Sequence, residues 1–245
     1  SGGADATGGA GAAPPATIEA TASRGASATG GPTAGASNVA SRLSDSGFVT
    51  ESDLSSPLGR RRIALGLAGE HNVMNALAAA AAAHAAGAGI QAIVDGLTSM
   101  RAVTGRLEVR SAHAGARMID DSYNANPASL RAGLRALTSI PGRHWLVLGE
   151  MRELGPESAQ LHAEMGDFAR QTGVARLLAV GDDAHHAVEA FGTGATWFAS
   201  VDDMIAALRA ELGPDVTVLV KGSRSNRLER VSAALASAAA AGTGH

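Results

Sequence analysis

From Pro127 onward, short apolar runs alternate with longer segments of helical pattern, and this alternation restricts the fold more than any other feature of the chain. The runs lie at 144–148, 175–180, 196–199 and 216–220. Between them the spacing predicts helices over 127–138, 157–172, 184–190 and 202–212, with a final one from Ser225 to about Ala240. Asn126 followed by Pro127 reads as an N-cap with proline at the first helical position. Short continuous apolar runs between helices of this length mean βαβ units and a mainly parallel sheet covered on both faces. Right-handed crossovers then make the expected fold α/β, a doubly wound, Rossmann-like domain.

The first part of the chain is built differently. Residues 1–37 are almost wholly Gly, Ala, Ser, Thr and Pro, with Ile18 the only large aliphatic. Such a composition cannot bury enough apolar surface to offset its ordering entropy, so residues 1–38 are expected to be a low-complexity, disordered segment. It lacks the basic start and apolar core of a secretory signal, and no stretch of the chain approaches about 18 uninterrupted apolar residues. The Ala-rich run 76–86 comes nearest, but it is short and broken by His84. A cytoplasmic protein without membrane insertion is the expectation. The chain starts at Ser and not Met, which suggests a processed or incomplete sequence. Past residue 38, residues 47–54 and 61–67 predict a weak hairpin. A helix follows from Asn72 and ends near Gly87 and Gly89, then a second over 90–100, then strands at 106–110 and 116–120 around Gly115.

Composition removes several chemistries. With no cysteine among 245 residues, disulfide frameworks, thiolate zinc sites and cysteine nucleophiles are excluded. With 20 Lys+Arg against 23 Asp+Glu the net charge is -3, which argues against duplex nucleic acid as a partner. No phosphate loop of the Gly-x-x-x-x-Gly-Lys-Ser/Thr type, no Gly-x-Ser-x-Gly elbow and no paired metal-ligand spacing occurs.

In an open parallel sheet, ligands bind beyond the carboxyl ends of the strands. Three polar clusters fall there: Asp120 to Pro127, Gly149 to Gly155, and Lys221 to Ser225. Each has a bland reading as caps, a solvated loop or surface charge. Even so, a Lys-Gly-Ser-Arg-Ser turn entering a helix gathers cations, hydroxyls and backbone N–H groups suited to phosphate or carboxylate. Asn72 and Asn75, three residues apart, share a face at the start of the Ala-rich helix. Their amides suit a nucleobase edge, although Asn72 is equally well read as an N-cap.

The stretches GEHNVMNALAAAAA, Thr104-Gly105-Arg106-Leu107-Glu108, DDSYNANPASL, LVLGEMRELG and VKGSRSNRLE occur in the order found in the Mur ligases, and over about residues 60–240 the chain resembles that family. DDSYNANP and VKGSRS resemble the members that attach D-Ala-D-Ala more than their sister ligases or the folylpolyglutamate synthases. The resemblance implies an ATP- and Mg2+-dependent amide ligase of peptidoglycan assembly, with UDP-N-acetylmuramoyl-tripeptide and D-Ala-D-Ala as substrates. The tripeptide carboxylate would be activated as an acyl phosphate and attacked by the dipeptide amine. It also implies that Asn75 meets adenine and that Arg106 and Asp121 meet the nucleotide, Asp121 at the ribose. Asn126, Lys221 and Ser225, with Asn124 and Arg224, would lie near the incoming amino acid or the acyl phosphate. By the same comparison, residues 39–105 are a remnant of the central ATPase domain and 106–241 the C-terminal domain. The UDP-binding domain, the phosphate loop, most magnesium ligands and the carbamylated Lys of the family have no counterpart in these residues. The chain alone is therefore expected to be inactive, with a separate polypeptide as one way of supplying the missing parts. The alternative is a non-catalytic nucleotide- or peptide-binding module, or a degenerate remnant that keeps only the fold.

Overall fold

The computed structural model describes residues 18–20, 34–44 and 47–236. The expectation of disorder over 1–38 falls mostly outside these residues. Strand β1 (Ile18–Ala20) pairs antiparallel with β2 (Gly35–Ser44), so ordered structure begins within the low-complexity segment. β2 escapes a hydropathy reading because its backbone ladder with β3 (Gly47–Ser56) holds it in place, while Val39 is its one buried apolar side chain. Ser41 and Thr50 add a cross-strand hydroxyl pair at 2.8 Å. The predicted hairpin is formed by β3 and β4 (Gly59–Leu65), completing a four-stranded antiparallel sheet in the order β1-β2-β3-β4. On its exposed side, hydrogen bonds from Arg62 and Arg42 hold the Glu51 carboxyl below its usual pKa.

Two helices, α1 (Glu70–Ala85) and α2 (Ile90–Ser99), cover the inner face of this sheet. Alternate residues of β3, from Phe48 to Leu54, are buried, and Leu54, Ile63 and Leu65 pack against Val73, Ala76, Ala80, Ile93 and Leu97. Alanine both favours the helix and keeps that contact close. The N-cap of α1 is Gly69 at φ 84, not Asn72. Asn72 lies inside the first turn and donates its amide to the Ala68 carbonyl at 2.8 Å.

The C-terminal half is a six-stranded sheet in the order β5-β6-β10-β7-β8-β9. Its strands are β5 (Glu108–Ser111), β6 (Arg117–Asp121), β7 (Arg143–Gly149), β8 (Arg176–Val180), β9 (Ala195–Phe198) and β10 (Val216–Lys221). All are parallel except the edge strand β5. Helices α3 (Pro127–Thr138), α4 (Ser158–Gln171) and α5 (Ala184–Phe191) pack on one face, α6 (Val201–Glu211) and α7 (Glu229–Leu235) on the other. The apolar runs carry both faces at once. In β7, Leu146 and Leu148 face the first helical layer, and Trp145 and Val147 face the second. The doubly wound α/β expectation is thereby met. Phe48 and Ala68 join the same apolar cluster as Leu107 and Ile119, so the two sheets meet along a packed seam.

Two expectations are corrected here. The final helix does not start at Ser225: residues Arg224–Asn226 form a single 3-10 turn, Arg227 adopts φ 51, and α7 starts only at Glu229. Asn226 causes the break by donating its amide to the carbonyls of Glu150 and Ser223, which pulls the segment towards the β7 loop. The helix also ends at Leu235, and its expected continuation to Ala240 falls largely outside the described residues. Strand β5 starts at Glu108 and not Arg106, because Leu107 takes a left-handed φ of 50. Among the described residues no helix is long and apolar enough to cross a membrane.

Helix α3 begins where its sequence suggests. Asn126 Oδ1 accepts from the Ser129 N–H at 2.8 Å, and Ser129 Oγ accepts from the Asn126 N–H at 3.1 Å, a reciprocal capping box closed by Pro127. Replacing Asn126 by Ala is expected to lower stability by about 1 kcal/mol in urea denaturation. A variant as stable as the parent chain would remove the cap from the account.

Candidate functional site

The neighbouring parallel strands β6 and β10 end side by side, with Asp121 and Lys221 in direct register at their carboxyl ends. Lys221 is only 2% exposed. Its ammonium donates to Asp121 Oδ2 at 2.5 Å and to the Asn124 carbonyl at 3.0 Å. Asp121 Oδ1 in turn accepts from the Leu107 N–H at 3.2 Å, and the Tyr123 N–H donates to the Gly105 carbonyl at 3.0 Å. The 104–107 strap and the 121–124 turn are thus bound to each other, and the Arg106 guanidinium lies 4.4 Å from the centre of the Tyr123 ring. Gly105, at φ 74, makes the strap's bend without the strain another residue would carry there.

Across from this pair stand the first two turns of α1, where Asn75 Nδ2 is 3.4 Å from Asn72 Oδ1. Between the two walls lies a cleft of about 850 Å³. It is lined by Asn72 and by Asn75, Arg106, Asp121, Asn124, Asn126 and Lys221, so six of the eight site residues implied by the family resemblance come together. The rim is apolar: Met100, Val103 and Tyr123 are exposed large side chains, Tyr123 at 47%. Such a cleft can take a flat, partly apolar ligand with amide groups at its edge and a carboxylate facing hydroxyls.

Arg224 and Ser225 do not join it. Both are exposed on the 3-10 turn and neither lines the cleft. The anion site expected around Lys221 to Ser225 is also not formed as anticipated. Lys221 is turned to Asp121, Ser223 Oγ accepts from the Arg152 N–H at 2.9 Å, and the following helix starts beyond this turn with Leu228 at its N-cap. Ser223 thus ties the end of β10 to the β7 loop, and Lys221 ties it to β6. His162 strengthens that loop: its Nε2 accepts from the Met151 N–H at 2.9 Å, while its Nδ1 lies 2.8 Å from the Ser158 carbonyl. Among the described residues no three His, Asp or Glu side chains gather as a group that could hold a metal ion.

Three contributors were not singled out from the sequence: Tyr123, Arg101 and the Leu107 N–H. Tyr123 carried a usable signal, as the only tyrosine of the chain and set within a polar post-strand cluster. The other two depend on loop conformation that leaves no trace in residue type.

Residues 105–224 match the family model described as Mur ligase, glutamate ligase domain. The UDP-N-acetylmuramoyl-tripeptide--D-alanyl-D-alanine ligase of Escherichia coli (strain K12) is 41% identical over 188 residues, covering 76% of this chain and 41% of the relative. Among solved structures, MurF from Acinetobacter baumannii superposes with a TM-score of 0.71 at 33% identity, covering 81% of this chain and 44% of that one. MurF ligase from Thermotoga maritima, solved in complex with ADP, shares the fold with a TM-score of 0.69 at 22% identity, covering 82% of this chain and 45% of that one. The chain spans about two fifths of the length of the curated relatives it matches.

Proposed function

Because the chain belongs to the Mur ligase family, we propose that it supplies the adenosine-facing part of an ATP-dependent amide ligase of cytoplasmic peptidoglycan-precursor synthesis, one that joins D-Ala-D-Ala to UDP-N-acetylmuramoyl-tripeptide. The observation that carries this reading is a cleft that gathers Asn75 from the helix of one sheet with Asp121 from the other and Arg106 from the strap before β5. The lining fits a nucleoside: side-chain amides for a base edge, the Tyr123–Arg106 stack and Met100 as apolar walls, and a carboxylate for ribose hydroxyls. In this reading Asn75 faces the base, Asp121 the ribose and Arg106 the phosphate side. Asn124 and Asn126, in the same lining, would face the peptide partner, with Ser225 and Arg224 outside it. Bound ATP would supply the phosphoryl group that makes the tripeptide carboxylate a competent electrophile. The chain's own part is to hold adenosine, orient it by the Asp121 carboxylate and keep water from the cleft floor.

The 245 residues contain no phosphate loop and no acidic cluster for magnesium among those described, so the polypeptide as it stands is expected to bind nucleotide without turning it over. Isothermal titration with adenosine, ADP and ATP, beside a phosphate-release assay with tripeptide and dipeptide present, tests both halves. Absence of nucleotide binding would remove the reading, and substrate-dependent phosphate release would overturn the expected inactivity.

A further inference from the structure

We infer that Lys221 is a positioning residue: it sets the Asp121 carboxylate and the 121–124 turn, and does not itself bind an anion in the cleft. The inference rests on the nucleotide reading above for its consequences in binding and extends it to how that site is held. Lys221 ranks among the largest fully buried side chains, and its ammonium already serves two protein acceptors, Asp121 Oδ2 and the Asn124 carbonyl. Two of its three N–H donors are thus engaged, and at 2% exposure a ligand phosphate or carboxylate could use the third only by burying a further charge. The pair is also a poor device for stability alone, since desolvating two charges commonly cancels their attraction and an apolar pair of similar volume holds a core as well. What an apolar pair could not do is aim a carboxylate.

The polar chain shows what is aimed. From Lys221 it passes through Asp121 to the N–H of Leu107, whose left-handed backbone at φ 50 turns the strap and carries its neighbour Arg106 to the cleft mouth. From Lys221 it also passes to the Asn124 carbonyl, which fixes the turn bearing Tyr123, and the Tyr123 N–H closes back on Gly105. The wall of the cleft formed by Arg106 and Tyr123 therefore hangs from one buried ammonium at the end of β10.

The test compares the full chain with Lys221→Met in titrations with adenosine, ADP and ATP. A positioning residue predicts the same loss for all three, about tenfold or more, because the nucleoside end alone is misplaced; tenfold corresponds to about 1.4 kcal/mol. In an Asp121→Asn background the same substitution should cost little further affinity, since the group it aims is already altered. A loss confined to ADP and ATP, or confined to D-Ala-D-Ala, would make Lys221 a direct ligand and overturn the inference. A second readout needs no ligand: amide hydrogen exchange at Leu107 should accelerate in Lys221→Met beyond any change at core strand amides, and unchanged protection there would also overturn it. If Lys221→Met does not fold, Lys221→Arg keeps the charge but not the point geometry, and the same two readouts apply. A parent chain that binds none of the three ligands sinks the nucleotide reading, while exchange at Leu107 still decides the role of Lys221.

Discussion

Asp121→Ala is expected to destabilise the chain by about 3–5 kcal/mol, because it leaves the ammonium of Lys221 buried without its counter-charge. The lost acceptor for the Leu107 N–H adds to the cost. For a folded unit of this size such a change lowers Tm by roughly 6–20 °C. The magnitude separates two pictures of one residue. A carboxylate exposed after a strand, or one capping the next helix, would cost about 1 kcal/mol or less, and the cap of α3 already belongs to Asn126. Differential scanning calorimetry of Asp121→Ala beside Asp121→Asn distinguishes them. Asn keeps one acceptor near Leu107 and removes the charge, so it should fall between Ala and the parent chain. Equal stability of all three would mean that the ion pair under the cleft is not formed in solution. Nucleotide affinity should fall in both variants under conditions where each remains folded.

What could be foreseen from sequence follows the physics of each element. The four-residue apolar stretch Trp145 to Leu148 announces a strand buried on both faces, because no other placement covers two opposite apolar faces at once. Asn126-Pro127 announces a helix start because capping chemistry is local. β2 gives no such sign: its Ser, Ala and Asn side chains contribute little area, and its order comes from backbone pairing with a strand whose position is fixed elsewhere. The helix start expected at Ser225 fails for a similar reason. The bond that stops the helix there runs from Asn226 to Glu150, 76 residues away, and no local pattern reports it. The site divides in the same manner. The residues that line it stand in short polar clusters after strands and could be named one by one. The pairing of Lys221 with Asp121, 100 positions apart, is a consequence of strand order and register, and so the same lysine looked like half of an anion site.

Gly166→Ala should lower stability by about 3 kcal/mol, against the usual direction for a glycine in the middle of a helix. There, alanine ordinarily gains about 0.5–1 kcal/mol by restricting the unfolded chain and favouring helical dihedrals. Gly166 has ordinary helical geometry within α4, so nothing in its backbone requires glycine. Its surroundings do. A Cβ at this position would lie 2.1 Å from the Ala187 carbonyl oxygen and 2.7 Å from its carbon, so the obstacle is the backbone of α5 and no side-chain rotation relieves it. The helices must separate, and the apolar contacts of Met165 and Ala169 with Ala184 and Ala187 loosen together. The separation also reaches the polar ties at that end of the sheet. Ser158 on α4 donates to Asp183 before α5 at 2.5 Å, and His162 on α4 holds the Met151 N–H of the β7 loop. Urea denaturation of Gly166→Ala should therefore show a lower midpoint with an unchanged slope. Amide exchange should rise first in α5 and in the loop after β7, while α3 and the cleft wall on β6 change least. A variant more stable than the parent chain would mean that α4 and α5 do not cross this closely.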